Sequence, residues 1–197
     1  MDWSLTRTVG PTVEPVSLAE LKLQARIDAD LTEEDELLDL YIRVATGQVE
    51  NETGRQLLPA TWVYRASRFP CCGVLTLPRP PLLSVTSVVY VDGAGASQTW
   101  ASSNYVVQTA SDTEQLSLAY GVSWPSVRSQ HTAVTITYRA GYASSRLVPQ
   151  PLRMAILLWA AELYKHREST GDRQAYVMPY AVERLVWPYR LAAVLIG

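Results

Sequence analysis

At 197 residues, the chain is long enough for one or two small domains and can bury about 70% of the surface that its unfolded form exposes, so a core needs neither metal nor disulfide. Hydrophobic residues make up 48% and charged residues only 18%, below the usual charged share of about 25%. Pervasive disorder is excluded, and a single copy must cover its surface with Ser, Thr, Gln and apolar groups or hide part of it against other copies. Seventeen Lys and Arg against nineteen Asp and Glu, net -2, give no bulk attraction for a phosphate backbone.

Residues 1–16 contain Gly10, Pro11 and Pro15 and read as an irregular arm. The start Met1-Asp2-Trp3-Ser4 lacks a basic region followed by an apolar stretch, so no signal peptide is expected. Ser17-Leu18-Ala19-Glu20 has capping-box spacing and predicts a short helix from 18 to about 26. Six of the nine residues from Asp28 to Glu36 are acidic. Thr32 is the expected cap of a second helix, whose first turn places Glu33, Glu34 and Asp35 against unpaired backbone amides. Leu38, Tyr41, Ile42, Ala45 and Val49 recur at helical steps, and Gly54 suits the stop.

The middle of the chain changes period. Trp62 to Arg65, Val74 to Leu77 and Val85 to Val91 are strand-prone runs punctuated by proline, with Asp92-Gly93 as a turn and Gln98 to Trp100 as the start of a return strand. Further strands are expected at Tyr105 to Gln108, Gln115 to Leu118 and Val134 to Tyr138. No crossover helix separates them, so a small antiparallel sheet or partial barrel is predicted. From Leu152 to about Arg167 the helical period returns, with Leu152, Ala155, Ile156, Trp159, Ala160 and Leu163 on one side and Leu157, Leu158 and Ala161 on much of the other. A helix apolar nearly all round needs two contacts, one of them outside its own core. Residues 169–178 read as a polar link to a last helical stretch, Val182 to Leu195, interrupted near Pro188. The longest apolar helical run, around Ile156 to Ala161, is too short to cross a bilayer.

The expected class is α+β: a mainly helical body of about four helices with a small antiparallel sheet or partial-barrel lobe inserted between the helix pairs. Both pairs are expected to pack as one unit. The divisions are an arm over 1–16, an α+β domain over 17–168 with a β-rich insertion at about 60–140, and a C-terminal link and helix over 169–197.

No residue set supports catalysis, a cofactor or a metal. Gly121 to Pro125 has the outline of a nucleophile elbow, but Pro125 stands where the second glycine belongs and no strand-to-helix context surrounds it. Trp124 is expected to pack on the sheet or to insert into a partner. The acidic run lacks the glycine and terminal glutamate of a calcium loop. Cys71 and Cys72 are adjacent, awkward for a disulfide and too few for zinc. His131 and His166 add no ligand spacing, and Gly93 to Ala96 reads as a hairpin tip rather than a phosphate cradle.

A family likeness runs through Pro15 to Glu20, Thr53-Gly54-Arg55-Gln56-Leu57-Leu58-Pro59, Leu77-Pro78-Arg79-Pro80-Pro81-Leu82, Tyr138-Arg139-Ala140-Gly141-Tyr142 and Val148 to Leu157. In this order, over residues 14–168, the sequence resembles the head-to-tail connector, or adaptor, proteins of tailed bacteriophages and prophages. The resemblance implies a structural, non-enzymatic virion protein without cofactors. It implies a homo-oligomeric ring of about a dozen copies beneath the portal protein, extending the DNA channel toward a tail-completion or head-closure protein. Double-stranded DNA would pass without sequence-specific binding, no membrane would be involved, and assembly would occur in the bacterial host cytoplasm. On this reading Leu157, Leu158 and Ala161 are the candidate oligomer interface. Arg55, Arg79, Glu33, Glu34, Asp35 and Glu36 are candidate partner or orienting contacts. The end, Leu191 to Gly197, carries no charge, so a basic C-terminal arm is not expected. Two competing readings are a monomeric accessory protein-binding module, recognisable by an exposed apolar groove, and an enzyme with a dispersed site.

Overall fold

The computed structural model describes residues 3–109, 115–166 and 179–191. Among these the chain has the expected α+β class, with four α-helices and two small antiparallel sheets. They are organised as two compact units rather than one. The chain through Pro11 joins Pro59–Ala143 in a β unit, and Thr12–Leu58 joins Ser144–Leu191 in a helical unit. The reason lies in the strand segment, which buries enough aromatic and aliphatic side chains to own a core.

The β unit contains β1 (Trp3–Val9), β2 (Ala60–Ala66), β3 (Val74–Thr76), β4 (Leu82–Val91), β5 (Ser97–Thr99), β6 (Tyr105–Gln108), β7 (Gln115–Leu118) and β8 (Val134–Ala140). Five strands pair in the order β1-β2-β8-β4-β5 and three in the order β3-β7-β6. Strand alternation sends Ala60, Trp62, Tyr64 and Ala66 of β2, and Val134, Ile136, Tyr138 and Ala140 of β8, into one core. Phe69 stacks on Trp124 with ring centres 4.7 Å apart, and Trp100 lies 5.0 Å from Trp124 and 5.6 Å from Tyr105. Such ring pairs add about 0.5–1.5 kcal/mol each beyond the area they bury. The Tyr138 hydroxyl donates to the Pro78 carbonyl at 2.7 Å, and burial raises its pKa well above the ordinary phenol value.

The first strand departs from the expected irregular arm. Trp3 and Leu5 face the β-unit core while Ser4 and Thr6 face away, and Trp3 stacks on Tyr64 at 5.8 Å. Gly10 and Pro11 mark the end of this edge strand rather than an unstructured start.

In the helical unit, α1 (Leu18–Ala25) opens on the expected capping box: Ser17 Oγ accepts from the Glu20 amide at 3.3 Å, and the Glu20 carboxylate accepts from the Ser17 amide at 2.7 Å. The second helix, α2 (Asp35–Thr53), starts later than its acidic run suggests, and Thr32 does not cap it. The Thr32 carbonyl instead accepts from the Asp35 amide at 3.2 Å as part of the preceding turn. Gly54 ends α2 at φ 71°. A Cβ there would sit 3.3 Å from Leu191, so glycine serves both the backbone angle and a close approach.

Pro149 and Pro151 fix the start of α3 (Gln150–Lys165), and α4 (Tyr180–Val186) gives way at Pro188 to a 3-10 turn over Trp187–Tyr189. The link expected at 169–178 and the chain beyond Leu191 lie outside the described residues. The α3 helix packs against α1, α2 and α4. Its Leu152, Ala155, Ile156 and Ala160 are buried with Leu38, Ile42, Ala45 and Val49 of α2 and Val182 and Val186 of α4. Trp159 and Leu163, expected in that stripe, are half-buried.

The exit of α2 is closed by buried polar groups. Glu50 accepts from the Gln56 side-chain amide and from the Leu57 backbone amide at 3.0 Å. Glu50→Ala strips both donors of this acceptor, and a stability loss of about 2–4 kcal/mol is expected, read as a lower urea midpoint at unchanged slope.

Candidate functional site

The sequence calls for surplus apolar surface on the outer side of α3. Leu157, Leu158 and Ala161 are each half-buried within one chain. The structure adds Met154, 43% exposed, one helical turn before them. Positions 154, 157, 158 and 161 follow the three- and four-residue spacing of a single stripe, a signal present in the sequence but not extended back to Met154. Beside the stripe, Glu20, Gln150, Pro151, Arg153, Met154 and Leu157 line a groove of about 380 Å³.

An ion pair forms one wall of that groove. The Arg153 guanidinium reaches the Glu20 carboxylate and also donates to the Pro15 carbonyl at 3.1 Å. The backbone bond from Ser17 is the first cause of a Glu20 pKa held below the ordinary carboxyl value; burial opposes it, and the Ser17 hydroxyl and Arg153 add to the lowering. The capping box and the ion pair therefore share one carboxylate, which fixes the start of α1 against the first turn of α3.

The acidic run divides into inward and outward groups. Glu34 accepts from the Tyr164 hydroxyl at 2.7 Å, and Asp35 pairs with the buried Lys22 ammonium at 2.6 Å. The same Lys22 nitrogen donates to the Leu31 carbonyl at 2.7 Å and the Ala29 carbonyl at 3.3 Å. Asp28, Asp30, Glu33 and Glu36 remain exposed. Of the four acids singled out in the sequence, two act inside the chain and two, Glu33 and Glu36, face solvent.

The arginines divide similarly. Arg55 is only 8% exposed, and its Nε donates to the Tyr189 carbonyl at 2.8 Å. It orients the turn after α4. Arg79 sits at φ 66° between Pro78 and Pro80 and, half-buried, lies over the Trp62 ring at 5.6 Å, a cation-π contact. Three exposed aromatics escaped the sequence reading: Tyr120 in the β unit, Tyr180, with the Arg184 guanidinium at 5.6 Å, and Trp187, with Arg190 at 5.2 Å.

Trp124 belongs to the aromatic cluster and donates from Nε1 to the Cys72 carbonyl at 3.1 Å, which places the Gly121 to Pro125 segment as a packed loop. Cys71 and Cys72 are exposed free thiols. Among the described residues no group of three or more His, Cys, Asp or Glu is placed to hold a metal ion, and no helix is long and apolar enough to cross a membrane.

The described residues thus form an α+β protein with an apolar stripe along α3 and an ion pair at the starts of α1 and α3. Residues 15–88 match the family model described as "Phage gp6-like head-tail connector protein". The whole chain follows a subunit from the neck of an empty gene transfer agent (GTA) particle computed with C6 symmetry, at 27% identity, TM-score 0.81 and 98% coverage of both chains. A chain of the virion of the native GTA particle matches at 26% identity, TM-score 0.79 and 98% coverage of both. The neck of the native GTA particle computed with C12 symmetry shares the fold at 23% identity, TM-score 0.75 and 98% coverage of both. No curated protein matches the chain. The gp6-like head-tail connector pattern thus runs from the approach to α1 into β4, and together with the likeness to GTA neck and virion chains it supports a structural connector role.

The Glu20 pair gives a pH signature. Its carboxyl pKa is lowered by folding, so its stabilisation is present above the unfolded value and disappears as pH falls through the folded one. Glu20→Gln is expected to lower the urea midpoint at pH 7, and the difference from the parent protein is expected to shrink as pH falls through the lowered Glu20 value.

Proposed function

We propose that this connector is a ring-forming subunit at the head-tail junction, seated beneath a portal protein and continuing the DNA channel toward a tail-completion or head-closure protein. Double-stranded DNA passes through without being read, and the subunits gather in the host cytoplasm during assembly. The observation that carries the reading is the match of 98% of the chain to a subunit of a symmetric GTA particle neck. The charge pattern agrees, since a net charge of -2 favours passage over retention of a polyanion.

Ring closure needs two different complementary faces on each copy. We assign Met154, Leu157, Leu158 and Ala161 to one of them, because their remaining exposure lies along one side of α3. Covering about 800 Å² per side is typical of a specific interface, and apolar contact at about 25 cal/mol per Å² offsets the freedom lost on association. Arg79 and the outward acids Glu33 and Glu36 are proposed partner contacts, whereas Arg55, Glu34 and Asp35 act as internal orienting groups.

Met154→Glu alters an exposed side chain and is expected to leave the melting temperature within about 3 °C. In light scattering of the protein mixed with its portal, the variant is expected to shift from ring mass toward monomer mass. Full assembly at an unchanged melting temperature removes the α3 stripe from the interface.

A further inference from the structure

Charge is distributed unevenly between the two units. Among the described residues the β unit holds six arginines but a single acid, Asp92. That acid is committed to its own hairpin: its carboxylate accepts from the Ala94 amide at 3.0 Å, the Ala96 amide at 2.9 Å and the Gln98 side chain at 2.9 Å. Arg68 and Arg128 are both exposed and have no carboxylate to pair with in the described part of their unit. They line one groove of about 530 Å³ with Ser67, Ser129, Gln130 and His131, and Val127 supplies an apolar wall.

The Arg128 side chain lies over the β4–β5 hairpin. Its backbone amide donates to the Val91 carbonyl at 2.9 Å, and its guanidinium lies against Gly95 so closely that a Cβ there would come within 2.4 Å of Nη1. The absence of a side chain at Gly95 thus lets the hairpin support this arginine. Two guanidinium groups with hydroxyl and amide neighbours form a receptor for carboxylates, which accept paired N–H bonds from such forks.

The helical unit carries the matching shape. Between α1 and α2 the loop is tied down from inside by Lys22, and Asp28, Asp30, Glu33 and Glu36 point outward around the exposed Leu31. A loop whose backbone is already fixed loses little freedom on docking. We propose that the groove bearing Arg68 and Arg128 receives this acidic loop from a second copy of the chain, with Leu31 against Val127. The two surfaces differ, so the contact is heterologous and can repeat around a ring. This inference rests on the ring reading and specifies one of its contacts. The duplex backbone is the rival polyanion for the same groove; the loop is favoured because it brings an apolar residue for Val127 as well as carboxylates.

The test is a charge exchange in the full-length protein mixed with its portal. Arg68→Glu with Arg128→Glu is expected to lower the ring fraction at least about tenfold in mass photometry, and Glu33→Arg with Glu36→Arg to do the same. All four changes together are expected to restore the ring, and ring formation by the parent protein is expected to weaken with added salt. Unchanged melting temperatures confirm that each variant is folded. A ring that survives the arginine changes, or loss without restoration in the fourfold variant, overturns the docking while leaving the ring reading intact. Loss of retention of a short DNA duplex with the ring unchanged assigns the groove to DNA and also overturns it. Parent protein that stays monomeric with its portal overturns the ring reading itself.

Discussion

The end of α2 is where the helical unit is held together. The Glu50 carboxylate turns the chain by accepting from Gln56 and Leu57, while Thr53 Oγ1 donates back to the Val49 carbonyl at 2.7 Å. From the same turn Arg55 holds the Tyr189 carbonyl, the Thr53 carbonyl accepts from the Leu191 amide at 3.0 Å, and Glu52 pairs with Arg190. A helix end normally leaves carbonyls unsatisfied. Here those groups and their neighbours become the anchor for the segment after α4, so α2 termination and the placement of the C-terminal turn are one arrangement.

A second consequence concerns which charges remain for outside contacts. Lys22, Glu34, Asp35 and Arg153 are all engaged within the helical unit. Internal pairing is selective: the loop after α1 keeps its inner acids for structure and its outer acids for solvent. The β unit does the reverse, binding its one described acid into a hairpin and leaving arginines outward. A protein with little net charge thereby presents two surfaces of opposite sign, a condition that favours specific encounter over general attraction.

Much of this organisation was legible in the residues. The α1 capping box, the Gly54 stop, the α2 and α3 core stripes and most of the strands follow from local spacing, because each depends on neighbours within a turn or a pleat. What stayed hidden depends on distant partners. The strand over Trp3–Val9 needs β2 beside it, the burial of Arg55 needs Tyr189, and the division of the acidic run needs Lys22 and Tyr164. Thr32 was the expected helix cap by composition, but Lys22 holds the Ala29 and Leu31 carbonyls, and α2 begins two residues later than that cap would set it. The outer stripe of α3 was visible by period alone, whereas the placing of Arg68 and Arg128 on one groove depends on the pairing of β2 with β8, which sets the end of one strand beside the start of the other.

The order of segments along the chain also sets an order in time. Pro59–Ala143 separates α1 and α2 from α3, whose Leu152, Ala155, Ile156 and Ala160 complete their core. At synthesis rates of about 5–20 residues per second, a nascent chain waits on the order of ten seconds for that completion. During the delay the strand-rich portion has its own core to close around, whereas the first two helices are only half built. The outer side of α3 is made only after the whole strand segment, so α1 and α2 emerge well before the helix that carries it.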